Sequence, residues 1–247
     1  DFDLDKKFRL NNLNLNTEIK LDNLEFKNSL KLNYFFPNIK ENIKLENHLI
    51  KLNYSNQELS ISGKGNVFIQ DELDQIKYEV IKNKKETNFN AILNISKNTF
   101  LIDFLNFQKL ENSNLELKIK GKKKLKKDLI FDQISLKEND NLIFGKKLIF
   151  SDNYKLNDLE SIKINFLDKE NFKNEVQISK KNKTYLVNGS SFNINSIVDK
   201  FLDSNIKKKT VFSDKKFKLE FNVKEIYFDK DSRMNNLQGF LILEKNE

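Results

Sequence analysis

The residue types that most often do chemistry are scarce in this chain of 247 residues. His48 is its single histidine. An acid–base pair or transition-metal site built on imidazole needs further ligands or a partner at a fixed spacing, and His48 stands alone among charged residues, which reads as a surface side chain. Cysteine is absent, so thiolate nucleophiles, disulfides and thiolate metal sites are excluded. Carboxylates gather as Asp1, Asp3 and Asp5, as Asp71, Glu72 and Asp74, and as Asp229 and Asp231. The last pair resembles the start of a calcium loop, but Arg233 and Met234 occupy the positions that need a ligand and a glycine. All three groups read as solvated turns. Gly63-Lys64-Gly65, Gly121 and Gly145 lack the spacing of a phosphate cradle, and there is no G-x-S-x-G elbow. Neither catalysis nor a cofactor is expected.

Charge adds little. Lys and Arg number 44 and Asp and Glu 36, a formal net charge of +8. Arg9 and Arg233 are the only arginines, yet arginine forks best onto phosphates and bases. The densest lysines are Lys122, Lys123, Lys124, Lys126 and Lys127, then Lys207, Lys208 and Lys209. They read as solvated faces, and no nucleic-acid partner is expected; if they hold anything, anionic lipid headgroups suit a point charge. The chain has 37 asparagines but one alanine, Ala91, and one proline, Pro37. That bias points to an A/T-rich, bacterial genome and makes part of the charge codon drift. Sequons such as Asn182-Lys183-Thr184 are expected by chance at that content.

The elements that carry these side chains announce themselves by alternation with period two. Leu59, Ile61, Gly63, Gly65, Val67 and Ile69 hold it for eleven residues. It recurs at Ile50, Leu52 and Tyr54, at Ile76, Tyr78 and Val80, at Phe89, Ala91, Leu93 and Ile95, and at Phe217, Leu219, Phe221 and Val223. Lys, Asn, Glu and Ser fill the positions between, so each strand has one apolar and one wet face. The connectors are Asn- and Asp-rich; such residues tolerate turn dihedrals and replace Gly and Pro. Strand, short turn and strand in repetition predict an antiparallel meander.

Ile197, Val198, Phe201, Leu202 and Ile206 break the period with helical spacing, and Ser196 with Asp199 can cap it, which predicts one helix over 196–204. Phe100, Leu101, Phe104, Leu105 and Phe107 fit either period and are read as strand. No apolar run approaches the ~18 residues of a membrane span. No linker divides the chain, so residues 1–247 form one domain. It begins at Asp1 and reads as a segment of a longer protein.

The stretch Leu186-Val187-Asn188-Gly189-Ser190-Ser191-Phe192-Asn193-Ile194-Asn195-Ser196-Ile197-Val198-Asp199-Lys200-Phe201-Leu202 resembles a recurring element of AsmA-like proteins, particularly the YhdP type. There a strand ending in Gly leads through an Asp-containing turn into a short amphipathic helix; Asn193 stands here where Asp is usual. The resemblance implies a non-enzymatic envelope protein of Gram-negative bacteria. It implies an inner-membrane anchor outside this segment and a periplasmic β-groove that carries phospholipid between the two membranes.

Strands with one apolar and one wet face build a compatible shape. The expected fold is all-β: an elongated, curved antiparallel sheet with one short helix, too short to cover so many strands. Its apolar face can hold acyl chains. The candidate contacts are Leu115, Leu117, Ile119, Ile162, Ile164, Phe166, Val176, Ile178 and Leu219. A structural or adhesive β-solenoid of an envelope protein is the alternative, ahead of a nucleic-acid-binding or enzymatic domain.

Overall fold

The computed structural model describes residues 3–4, 10–11, 13–28, 32–125, 128–151, 155–202 and 217–243. Two short strands, β1 (Asp3–Leu4) and β2 (Leu10–Asn11), pair with each other. The strands β3 (Leu15–Lys27), β4 (Asn42–Ser55), β5 (Glu58–Phe68), β6 (Asp74–Lys82) and β7 (Glu86–Ile95) then follow as a meander. A small hairpin, β8 (Leu101–Ile102) and β9 (Phe107–Gln108), interrupts it. The meander resumes with β10 (Leu115–Lys124), β11 (Leu129–Glu138) and β12 (Asn141–Phe150). A three-residue strand, β13 (Leu156–Asp158), pairs the end of β12. Then come β14 (Ser161–Leu167), β15 (Lys173–Lys181), β16 (Thr184–Asn193), the helix α1 (Asn195–Leu202), β17 (Phe217–Tyr227) and β18 (Arg233–Leu243).

Thirteen of these strands form one continuous path from β3 to β18, with β13 beside it. At about 4.8 Å between neighbours, that path is on the order of 60 Å wide. The sheet is elongated, curved and open: β3 and β18 are its two edges, and they do not pair with each other. The helix starts one residue before the span the spacing predicted and ends two residues short of it. Its consequence for topology was not anticipated: β17 pairs β16 in parallel, whereas every other pairing is antiparallel. A parallel neighbour needs a crossover, and α1 lies on the connection between the two strands.

Asparagine takes over the turn chemistry. Among the described residues ten non-glycine positions have positive φ, and eight of them are Asn, including Asn56, Asn139 and Asn182 in hairpin turns. No glycine among them has positive φ. Asn bonds its own backbone locally and so bears the left-handed region better than other side chains.

The register aligns apolar side chains across the whole sheet. One row runs Ile19, Ile50, Gly63, Tyr78, Ala91, Ile119, Ile134, Gly145, Ile162, Ile178, Val187, Phe221 and Gly239, one residue per strand from edge to edge. Beside it, Gly65, Ile76, Leu93, Leu117, Leu136, Ile143, Ile164, Val176, Gly189, Val223 and Leu237 form a second row on the same face. The opposite face carries the charge, with ion pairs such as Lys118–Glu116 at 2.8 Å and Lys173–Glu175 at 2.8 Å, and among them half-buried Ile92, Phe144 and Leu186. Exposed pairs of this kind contribute about 0–1 kcal/mol each.

Candidate ligand-binding face

The apolar face is not uniform, because two segments fold over one end of it. Residues 32–40 and the β8–β9 hairpin bring Phe36, Phe100, Leu105 and Phe107 onto Ile95, Leu115 and Phe166, and all seven are buried. A file of rings fastens this cover. Phe36 meets Phe100 at 5.3 Å, Phe100 meets Phe107 at 6.5 Å and Phe107 meets Phe166 at 5.1 Å, each edge to face. The segment read as a strand from Phe100 to Phe107 is thus two strands of two residues around a 3-10 turn at Asp103–Leu105, packed on the sheet rather than within it.

Buried carboxyl and amide groups pin the cover and the turns at this end. Glu138 is fully buried and accepts hydrogen bonds from the Leu110 N–H at 2.7 Å and from the Ser113 hydroxyl. Asp74 accepts from the Ser96 N–H at 3.1 Å and the Asn98 amide at 2.8 Å. Burial pushes the Asp74 carboxyl above its ordinary value, partly offset by those two donors. Asp168 accepts from the N–H groups of Glu170 and Phe172, both at 2.9 Å, and from the amide of Asn193 at 2.8 Å. Such groups are satisfied by backbone and amide donors and have the geometry of structural clamps.

A second strap lies near the opposite end. Leu156 and Leu159, on and after β13, pack on Leu148 and Tyr185. Asp158 holds the strap down, accepting from the Tyr185 hydroxyl at 2.7 Å and from the Lys180 ammonium. Burial acts against the Asp158 carboxylate, but these donors outweigh it and hold the carboxyl below its ordinary value. Burial and the neighbouring Asp158 together push the Tyr185 hydroxyl up.

Between cover and strap the face has no second layer among the described residues. Leu52, Ile61, Val80, Ala91 and Ile119 are half-buried and belong to none of the three packed clusters of the molecule. The candidates therefore divide. Leu115, Ile164, Phe166 and Val176 are buried, with exposures of 0–5%, and have protein against them. Leu117, Ile162, Ile178 and Leu219 are half-buried at the margins of the clusters. Ile119 stands on the uncovered part. Leu52, Ile61 and Val80 share that part and are not among the sequence candidates, although their alternation is as clear as that of the candidates.

The remaining sequence candidates resolve as follows. His48 is not a surface residue: it is 2% exposed, because an extra residue in β4 turns it onto the apolar face. Asp229 accepts from the N–H groups of Asp231 at 2.8 Å and Ser232 at 2.6 Å, which closes a turn around its carboxylate. No group of three or more metal-ligating side chains occurs among the described residues. Asp71 is exposed and pairs with Lys40 at 3.2 Å. Gly63 and Gly65 lie within β5. Lys124 is exposed and Lys122 and Lys123 half-buried; Lys126, Lys127, Lys207, Lys208 and Lys209 lie outside the described residues, as do the side chains of Asp1, Asp3 and Asp5. No described helix is long and apolar enough to cross a membrane. No family model, curated protein or solved structure matches this chain.

Proposed function

We propose that the sheet is a non-enzymatic carrier surface for lipid, a segment of an AsmA-like, YhdP-type protein that conducts phospholipid between the inner and outer membranes of a Gram-negative cell. The acyl chains lie along the apolar rows while the headgroups face water. The protein works in the periplasm, anchored to the inner membrane through a part outside this segment. The observation that carries this reading is the half-buried, uncovered patch of Leu52, Ile61, Val80, Ala91 and Ile119 in an open sheet whose apolar row from Ile19 to Gly239 reaches both edges. An apolar strip left without a second layer marks a ligand or partner surface. Each row is a line of side chains with no charge along it, which suits extended acyl chains.

A structural or adhesive β-solenoid is the competing reading. It predicts that the same patch meets protein and carries no lipid. Mass spectrometry of the purified segment separates the two: co-purifying phospholipid supports the carrier, and lipid-free protein whose patch is covered by a second chain supports the solenoid.

A further inference from the structure

Asp74, Glu138 and Asn174 lie on the apolar face at its covered end and are hydrogen-bonded; His48, on the same face, is not. His48 pairs with Leu21 and sits beside Gly65 and Ile76, and neither of its ring nitrogens has a hydrogen-bond partner, though both are buried. An imidazole keeps at least one N–H in either protonation state. His48 therefore holds a donor without an acceptor inside an apolar setting. Unmatched buried donors cost stability, and a fold that keeps one calls for a reason.

The backbone is shaped around this ring. Asn47 takes φ 49 and supplies the extra residue of β4, so the register shifts between Glu46 and Leu49. Gly65 leaves the space the ring fills: a Cβ there would stand 2.5 Å from His48 Nδ1 and 2.8 Å from the Asn47 carbonyl oxygen. Gly63 does the same for Tyr78, whose hydroxyl would lie 2.4 Å from its Cβ. The Tyr78 ring in turn stacks on His48, centroids 6.0 Å apart and planes 29° apart. Tyr78 is half-buried and carries the one hydroxyl in its row. A bulge and two of the six glycines of the chain thus seat two rings that bring hydrogen-bonding capacity to an otherwise apolar strip.

We propose that His48 is the polar docking point for an acyl ligand. Its N–H bonds an acyl oxygen, a carboxylate or an ester carbonyl, at the head of a hydrocarbon chain. That chain runs along the neighbouring rows towards Ala91 and Ile119. The half-buried Tyr78 ring turns aside to admit the oxygen. The inference rests on the acyl-chain reading above and adds to it a fixed position for the ligand's polar end. A free fatty acid and a glycerolipid ester share the required chemistry.

Because His48 is the only histidine, protein labelled with 15N-histidine and carrying a histidine-free tag gives the spectrum of this one ring. Palmitate, a monoacyl phosphatidylglycerol and hexadecane are added in turn, and each is also tested for displacement of fluorescent cis-parinarate. The proposal expects the ring-nitrogen resonances to move with palmitate, with the ester, or with both, and not with hexadecane; the one that moves them identifies the source. Equal movement with hexadecane, or displacement of cis-parinarate without movement, overturns the docking point and leaves the acyl-chain reading standing. Failure of the protein to bind cis-parinarate overturns both. His48→Phe supplies a second readout: it should raise Tm by about 2–4 °C, by removing the unmatched donor, and weaken cis-parinarate binding at least tenfold. Unchanged affinity in that variant overturns the proposal.

Discussion

The ring of Phe107 meets the ring of Phe166 edge-on, their centroids 5.1 Å apart, and so joins a surface hairpin to the sheet beneath it. Phe107 is 1% exposed and Phe166 2%. Truncating a buried phenylalanine costs about 3–5 kcal/mol through lost burial and the cavity left behind. Phe107→Ala should lose that much in urea denaturation. Val80→Ala, on the uncovered patch, should lose about 1 kcal/mol or less, since its side chain is only half-buried.

Charge substitutions should separate the two kinds of apolar residue. Ile164 lies in the largest cluster, and a carboxylate there has no partner, so Ile164→Asp should cost about 4 kcal/mol or more and unfold the segment at modest urea. Ile119→Asp should cost about 1 kcal/mol, because its side chain can turn outward to water. The same change should reduce bound lipid measured after purification. Circular dichroism melts on both variants, with lipid extraction, check the contrast.

Much of this arrangement is readable from alternation alone. The run from Leu59 to Ile69 places its side chains correctly, and the helical spacing after Asn195 marks α1 within a residue or two. The bulge at Asn47 was legible in principle: apolar residues fall on odd positions at Ile43 and Leu45 and on even positions from Ile50 to Tyr54, so an extra residue must lie between. That shift is what buries His48. The parallel pair β16–β17 was likewise implied by a helix between two strands, which is the usual crossover. The cover over Ile95 and Leu115 was not legible, since the contacts of Phe36 and Phe107 with the sheet are set by tertiary packing rather than local period.

Turn asparagines should tolerate glycine and reject branched residues. Asn182 has φ 58 in the turn between β15 and β16. Asn182→Gly should leave stability within about 0.5 kcal/mol, whereas Asn182→Val should cost about 1–2 kcal/mol because its Cβ crowds the backbone in the left-handed region. Chemical denaturation of both variants measures the difference.

The strap over Leu148 should loosen in acid. The folded Asp158 carboxyl sits below its ordinary value of 3.8. Its stabilising contribution is therefore complete above that ordinary value and is lost as pH falls through the lower, folded value. The stability difference between the wild type and Asp158→Asn should be constant from about pH 5 to 7 and shrink below about pH 4. A difference that grew in acid would contradict the pairing with Lys180 and Tyr185.

Gly65 should be intolerant of any side chain. A methyl group at that position meets the Asn47 carbonyl oxygen and the His48 backbone at 2.8 Å, and the backbone cannot yield cheaply. Gly65→Ala should lower Tm by about 2–4 °C or more, while Gly239→Ala, with nothing within 4 Å, should leave it unchanged.

The carrier reading stands or falls on what touches the uncovered patch. Ile119 and Lys118 are adjacent in β10 and point to opposite faces of the sheet. A photo-crosslinking amino acid placed at each position in the protein expressed in a Gram-negative host, followed by mass spectrometry of the adducts, reads the two faces directly. The account predicts phospholipid adducts from position 119 and none from position 118. Adducts from position 119 that are protein alone, or equal lipid labelling from both positions, would contradict it.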